Sequence, residues 1–185
     1  RMKDCKRERC MIIKNDILMN ATSADVQNGT IVIPKNVRII WDASLCGLPI
    51  EWLIVPQTIE YIGDYALNCK RLKSVKFDNP NCKISSGVFQ GCEHLEHIDL
   101  PDAIEEIFEL TFNGCKSLQS IKLPNTIQFL DDSAFHGCKN LEELWVSDSL
   151  DHLYLHSFHG CEKLKKIHWK GKLYTIDDLI AYNTL

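Results

Sequence analysis

From residue 29 onward the apolar residues of this chain recur in short, evenly spaced groups. Pairs two apart, such as Ile98 with Leu100 and Ile121 with Leu123, have the period of a strand with one buried face. Seven such segments follow one another, at 31–33, 53–55, 75–77, 98–100, 121–123, 144–146 and 167–169. Each is too short to fold alone. The pattern therefore predicts one strand per coil, stacked into a parallel sheet with neighbours about 4.8 Å apart. Pro34, Pro56, Pro101 and Pro124 stop strands, because proline supplies no ladder donor. Beyond them, apolar pairs three apart (Val37 with Ile40, Ile59 with Ile62, Ile104 with Ile107, Ile127 with Leu130) predict an opposite wall. Phe89, Phe112, Phe135 and Phe158 would fill the space between the walls. Coils this short predict turns or short 3-10 pieces on the back and no full helix.

Cysteine sets the period. Cys69, Cys92, Cys115, Cys138 and Cys161 stand 23 residues apart. A leucine follows each by three (Leu72, Leu95, Leu118, Leu141, Leu164), and Gly91, Gly114, Gly137 and Gly160 precede the last four. Columns held in step over four or five copies mark a stacked repeat. The two earliest coils run at 22, because their turn lacks one residue. Cys46 also lies 23 before Cys69, but alignment on the leucines and prolines puts it one place off the column.

This column set resembles the BspA-like leucine-rich repeats of bacterial and protist surface proteins. Their order of Ala-Phe, two spacers, Cys, then Leu, Ile and Leu-Pro is matched from Gly29 to Trp169. The departures are the first two coils, Ser147 and Lys170 where proline is usual, and the last coil. The resemblance implies a leucine-rich-repeat solenoid, a cell-surface or extracellular location, a binding role and no enzyme. Residues 1–28 fall outside the repeat and are expected to form a cap or hairpin over the first coil. Residues 29–185 are expected to form about seven coils. Leu173 and Ile176 are expected to keep register in a last coil that is degenerate or truncated, and the start at Arg1 reads as a piece of a longer array.

Composition narrows the function classes. A net charge of −4, from 21 Lys and Arg against 25 Asp and Glu, offers no basic footprint for nucleic acid. No apolar run reaches the roughly 18–20 residues that cross a bilayer, so no membrane insertion is expected within this chain. No apolar export signal stands at its start. The nine cysteines are an odd number, and the repeated ones lack the paired spacing that gathers four zinc ligands. Equivalent cysteines on stacked coils would sit about 4.8 Å apart, wider than the roughly 3.5–4.5 Å between the Cβ atoms of a disulfide. They read as small buried hydrophobes. Cys5 and Cys10 could pair, and with Cys46 and Cys82 they stay unexplained by the repeat. His136 and His159 share a column with Gln90 and Asn113, which reads as an exposed polar turn position, so neither a metal site nor a cofactor is expected. No nucleophile elbow, phosphate loop or His-Glu-x-x-His motif is present.

The outward residues of the strands carry the functional expectation. One column reads Val32, Ile54, Lys76, Asp99, Lys122, Trp145, His168, and the column before it includes Trp52, His97 and Glu143. Lys76, Asp99 and Lys122 are placed to form a cross-strand charge ladder. Trp145 is a large aromatic in a polar column, flanked by Glu143 and His168, as contact hot spots are. Trp52 and Ile54 form a second apolar pair. The expected ligand-binding residues on a concave strand face are therefore Trp52, Asp99, Lys122, Glu143, Trp145 and His168, and the expected partner is a protein or a surface glycan. The rival reading is a structural spacer or self-assembly segment of a larger surface protein. On the opposite wall Trp41, Tyr61, Phe108, Phe129 and Tyr154 face outward, as a cover for the core or a dimer surface.

Overall fold

A computed structural model describes residues 11–151 and 153–183. The chain winds into a β-solenoid of about seven coils with parallel strands and almost no helix. One wall carries the strands Val26–Gln27, Thr30–Ile31, Trp52–Val55, Ser74–Phe77 and His97–Ile98 as a five-stranded sheet. The same wall continues as a four-stranded sheet of Ser120–Lys122, Glu143–Trp145, Lys166–Trp169 and Lys172–Tyr174. Coil strands pair in parallel with their own equivalents one coil away, Leu53 with Val75 and Leu144 with Ile167. The predicted single sheet is thus divided in two, between His97–Ile98 and Ser120–Lys122.

The opposite wall is also hydrogen-bonded. Ile12–Lys14, Ile17–Asn20, Ile39–Ile40, Tyr61–Ile62 and Lys83–Ile84 form one sheet, and Glu106–Ile107 pairs with Phe129–Leu130. Beside the first hairpin, all five coil strands here are only two residues long, which is why no alternation showed in the sequence. A third line of coil-to-coil bonds runs through the turns, where Gly114 N donates to His136 O at 2.8 Å and Gly137 N to His159 O at 2.8 Å. Glycine is required at this corner. Gly160 has φ +79°, and a Cβ on it would lie 3.3 Å from the Cα and N of Gly137 beneath it.

Between the walls, equal residues stack on equal residues. Phe89, Phe112, Phe135 and Phe158 form a buried ladder with ring centroids 5.4, 5.1 and 6.0 Å apart and planes within 18° of parallel. The cysteine column lies beside it and does more than fill space. Cys115 Sγ donates to Phe89 O at 3.3 Å, Cys138 Sγ to Phe112 O at 3.1 Å and Cys161 Sγ to Phe135 O at 3.1 Å. Those carbonyls already accept the backbone N–H of the cysteine in their own turn, Cys92, Cys115 and Cys138 respectively. Each thiol therefore satisfies the second lone pair of a buried carbonyl one coil earlier. Cys69 and Cys92 do the same to Leu45 O and Leu67 O. Where the strand-ending proline is absent, polar side chains hold the turn. Asn79 Nδ2 donates to Ile59 O at 2.8 Å while its Oδ1 accepts from Asn81 N. Buried Ser147 donates to Asn125 O at 2.8 Å and accepts from Ser149 N.

Antiparallel hairpins stand at one end of three of the four sheets. Their two-residue turns, Asn15-Asp16, Asn28-Gly29 and Lys170-Gly171, all have positive φ at both central residues, as a type I′ turn requires. The last hairpin corrects the expected register. Trp169 is followed by a return strand, so Leu173 lies opposite His168 and is 58% exposed instead of entering a core column. The helix Ile176–Asn183 follows, its start held by Asp178 accepting from Thr175 N at 2.7 Å and Asp178 N donating to Thr175 Oγ1. Leu179 is its buried anchor. Cys5, Cys10 and His152 lie outside the described residues.

Two outcomes test this core. Phe112→Ala removes an inner rung of a buried four-ring aromatic stack and should cost about 3–5 kcal/mol, read from urea unfolding midpoints. Cys69, Cys82, Cys92, Cys115, Cys138 and Cys161 are buried and free, while Cys46 is exposed. Burial pushes the thiols of Cys69, Cys82 and Cys92 up to about 12, so access and ionisation both protect them. A thiol reagent at pH 8 should label Cys46 in the native protein and reach these six only after unfolding, resolved by peptide mapping.

Candidate binding face

Strand alternation decides which side chains leave the core. In Glu143–Trp145 the middle residue Leu144 is buried, so Glu143 and Trp145 turn outward together. Parallel pairing then sets Lys122, Trp145 and His168 side by side, with Ser120, Glu143 and Lys166 as the adjoining row. The Trp145 and His168 rings stack with centroids 4.8 Å apart and planes 3° from parallel. His168 Nε2 donates to Glu143 Oε1 at 2.8 Å, and Lys166 Nζ lies 3.7 Å from the same oxygen. The hydrogen bond from His168, helped by the charge of Lys166, holds the Glu143 carboxyl below the ordinary carboxylate range. Glu143, Trp145 and His168 are each half-buried. The tryptophan is thus less open than its column led one to expect, because the imidazole of the next coil covers one of its faces.

Beside this stack lies a cleft of about 350 Å³, to which Lys122, Asn125, Trp145, Asp148, His168 and Leu173 contribute. Asn125, Asp148 and Leu173 were not among the expected contact residues. Leu173 could have been placed from the Lys170-Gly171 turn signal, which sends the chain back along its own strand. Asp99 and Lys122 are exposed on the same face, but the expected charge ladder does not form. Lys76 Nζ pairs with Asp78 Oδ1 at 2.8 Å, and among the described residues Asp99 and Lys122 make no ion pair. The physical reason is local. Asp78 follows Lys76 by two residues, while Asp99 falls just past the short strand His97–Ile98, at the break between the sheets.

The other end of this wall is apolar. Trp52, Ile54 and Val32 are 46, 57 and 82% exposed on neighbouring coils and line a groove of about 560 Å³ with Ser74, Lys76 and Asp78. Lys73 Nζ lies 4.9 Å from the centre of the Trp52 ring and 2.9 Å from Glu51 Oε2. Arg71 pairs with the other oxygen of Glu51. Trp52 takes its place against Gly29, where an added Cβ would lie 3.2 Å from Cζ3 of the indole. The six expected residues are therefore not one site. His168 touches both Glu143 and Trp145 with Lys122 alongside, Trp52 belongs to a separate apolar cluster, and Asp99 stands between them.

On the opposite wall Trp41, Tyr61, Phe129 and Tyr154 are exposed and Phe108 is half-buried. Among the described residues no three His, Cys, Asp or Glu side chains gather where they could enclose a metal ion. No helix among them is long and apolar enough to cross a membrane.

Stacked short parallel strands, a phenylalanine ladder and a turn cysteine in every later coil define a leucine-rich-repeat solenoid. The chain belongs to the family described as the BspA type leucine rich repeat region, whose model matches residues 12–107 and 82–184 in six copies. A comparison with curated proteins gives no match. Among solved structures, the leucine rich repeat protein TpLRR of T. pallidum is similar at 20% identity and TM-score 0.75, covering 83% of this chain and 75% of that one. A leucine-rich repeat protein from Eubacterium ventriosum is similar at 22% identity and TM-score 0.66, covering 80% of this chain and 46% of its own. The pneumococcal vaccine antigen PcpA is similar at 22% identity and TM-score 0.54, with 86% and 34% covered. The chain thus spans three quarters of the first of these and less than half of the other two.

The Glu143 contact gives a pH test. A carboxyl held low by a partner in the folded state contributes stability at pH values above its unfolded range, and loses it as pH falls through the folded value. Carboxyl NMR titration should find Glu143 ionised at lower pH than an isolated glutamate, and His168→Gln should return it toward the ordinary range.

Proposed function

We propose that this chain is a non-enzymatic module of a cell-surface or extracellular protein that binds a protein partner through the outward face of the wall carrying Trp52, Trp145 and His168. The observation that carries the reading is an exposed apolar cluster, Val32, Trp52 and Ile54, on the same face as a preorganised Trp145–His168 stack. Large exposed apolar side chains on adjacent strands cost solubility and gain their return when covered. The aromatic and charged groups at the other end supply the oriented contacts that hot spots use. Family membership supports the reading, because leucine-rich repeats commonly mediate protein interactions. The face is broad and several of its titratable groups are tied to one another, as with His168 on Glu143 and Lys76 on Asp78, which fits recognition better than catalysis.

The antiparallel hairpins at the sheet ends favour binding over end-to-end assembly. The strands that end this wall, Val26–Gln27 and Lys172–Tyr174, run antiparallel to the coils and are two and three residues long, so they offer a second copy only a short edge of the wrong direction.

The test is a solid-phase screen against extracellular proteins and glycans, followed by affinity measurement on any protein that binds saturably. Paired alanine substitution of Trp145 and His168, and separately of Trp52 and Ile54, should each weaken binding about tenfold or more while the unfolding midpoint stays near that of the parent. Unchanged affinity in both variants, or saturable binding to glycans alone, overturns the proposal.

A further inference from the structure

The stacking that builds the core also brings two histidines of the turn column together at the surface. His136 is half-buried and His159 exposed. Their rings are stacked 5.1 Å apart with planes 13° from parallel, and His136 Nε2 lies 3.0 Å from His159 Nδ1. The backbone beneath them is pinned, since Gly114 N donates to His136 O and Gly137 N to His159 O, both at 2.8 Å. On the far side of His136, Asn113 Nδ2 lies 3.0 Å from Nδ1. With the amide donating, Nδ1 of His136 is an acceptor, its proton sits on Nε2, and that N–H donates to His159 Nδ1. Both imidazoles are then neutral, the form that ligates metals.

We propose that His136 and His159 form a two-imidazole site for a borderline transition-metal dication of the Zn²⁺ or Ni²⁺ class. A separation of 3.0 Å between the facing nitrogens suits a cis pair of ligands. At metal–nitrogen distances of about 2.0–2.1 Å it corresponds to an angle of roughly 95° at the metal. Binding moves one proton and releases none. The Nε2 proton of His136 shifts to Nδ1, and Asn113 turns its amide so that Oδ1 accepts it. Asn113 then holds the ring in the ligating tautomer, as outer-shell partners do. Two side chains fill only part of a coordination sphere, and water takes the remaining positions. The imidazole pair selects this class of ion over Mg²⁺ and Ca²⁺, which prefer oxygen.

The column itself supplies mild substitutions, because Gln90 and Asn113 already occupy it in this protein. The full chain, with its accessible thiols alkylated so that they do not bind metal, is titrated with NiCl₂ by calorimetry. One saturable Ni²⁺ per chain is expected. His136→Asn and His159→Gln should each weaken it about tenfold or more, and His156→Gln, three residues from His159 on the exposed side of the turn, should leave it unchanged. Absence of saturable binding by the parent, binding undiminished in either column variant, or binding lost with His156 instead overturns the site. Circular dichroism of each variant confirms that the solenoid is intact.

Discussion

The carbonyls of the Phe89, Phe112 and Phe135 turns each have two lone pairs and lie where water does not reach. One lone pair takes the N–H of the cysteine three residues on, and the other takes the S–H of the cysteine one coil later, as Phe112 O does with Cys115 and Cys138. A buried acceptor left unsatisfied costs about 1–3 kcal/mol, so the arrangement constrains every coil at once. The residue must be small enough for a turn packed against Phe rings, apolar enough for the interior, and able to donate. Serine meets the first and last conditions at a higher desolvation cost, and alanine cannot donate. Cysteine meets all three. The bond survives the shorter early turns, since it spans 24 residues from Cys69 to Leu45 O, 25 from Cys92 to Leu67 O and 26 in the later coils.

That constraint explains where irregularity is tolerated. The coil that lacks a proline after Phe77 takes up its altered turn with Asn79, which bonds both back to Ile59 O and forward to Asn81 N. Ser147 does the same in a later coil. Variation thus sits in the corner after the strand, where a side chain can replace the lost turn geometry, and in the corner where Gly and Cys stack it is confined to the early coils, whose turn is one residue shorter. Stacking also dictates what may repeat. Phe on Phe, Gly on Gly and thiol on carbonyl are each favourable at coil spacing, whereas identical charges would repel. The outward columns accordingly change residue from coil to coil.

Much of the fold was legible because repetition multiplies weak signals. A two-apart apolar pair means little once, and seven of them at fixed spacing define a wall. Features that occur once lacked that amplification. The hairpin turns at Asn28-Gly29 and Lys170-Gly171 each carried a local signal but stood outside the columns, and Leu173 was therefore assigned to the core. The second wall was legible as apolar pairs three apart, but its hydrogen-bonded strands were not, because those of the coils are two residues long, too short to alternate. In the candidate site the adjacency of Trp145 and His168 was legible, since they are 23 apart in one column. The hydrogen bond from His168 to Glu143 was not, because it runs diagonally between two columns and depends on the ring's rotation. The Lys76–Asp99–Lys122 ladder failed for the opposite reason. It assumed an unbroken sheet, and the sheet breaks at that coil.

The two ends of the binding face differ in what they can contribute energetically. Trp145 has already lost one face to His168, and His168 is held by Glu143, so little side-chain freedom remains to be lost when a partner docks there. Val32 and Ile54 are open and have no polar handle, so their contribution scales with the apolar area a partner covers, about 25 cal/mol per Å². Trp52 lies between these cases, backed by Gly29 and overlain by Lys73. Under the proposed role, the ordered end fixes orientation and the apolar end supplies affinity. The intervening coils, with Asp99 and Lys122 unpaired among the described residues, leave charges free to select among partners. A repeat scaffold suits this division, since its core columns set the spacing of the coils and leave every outward position open to change without disturbing the stack beneath.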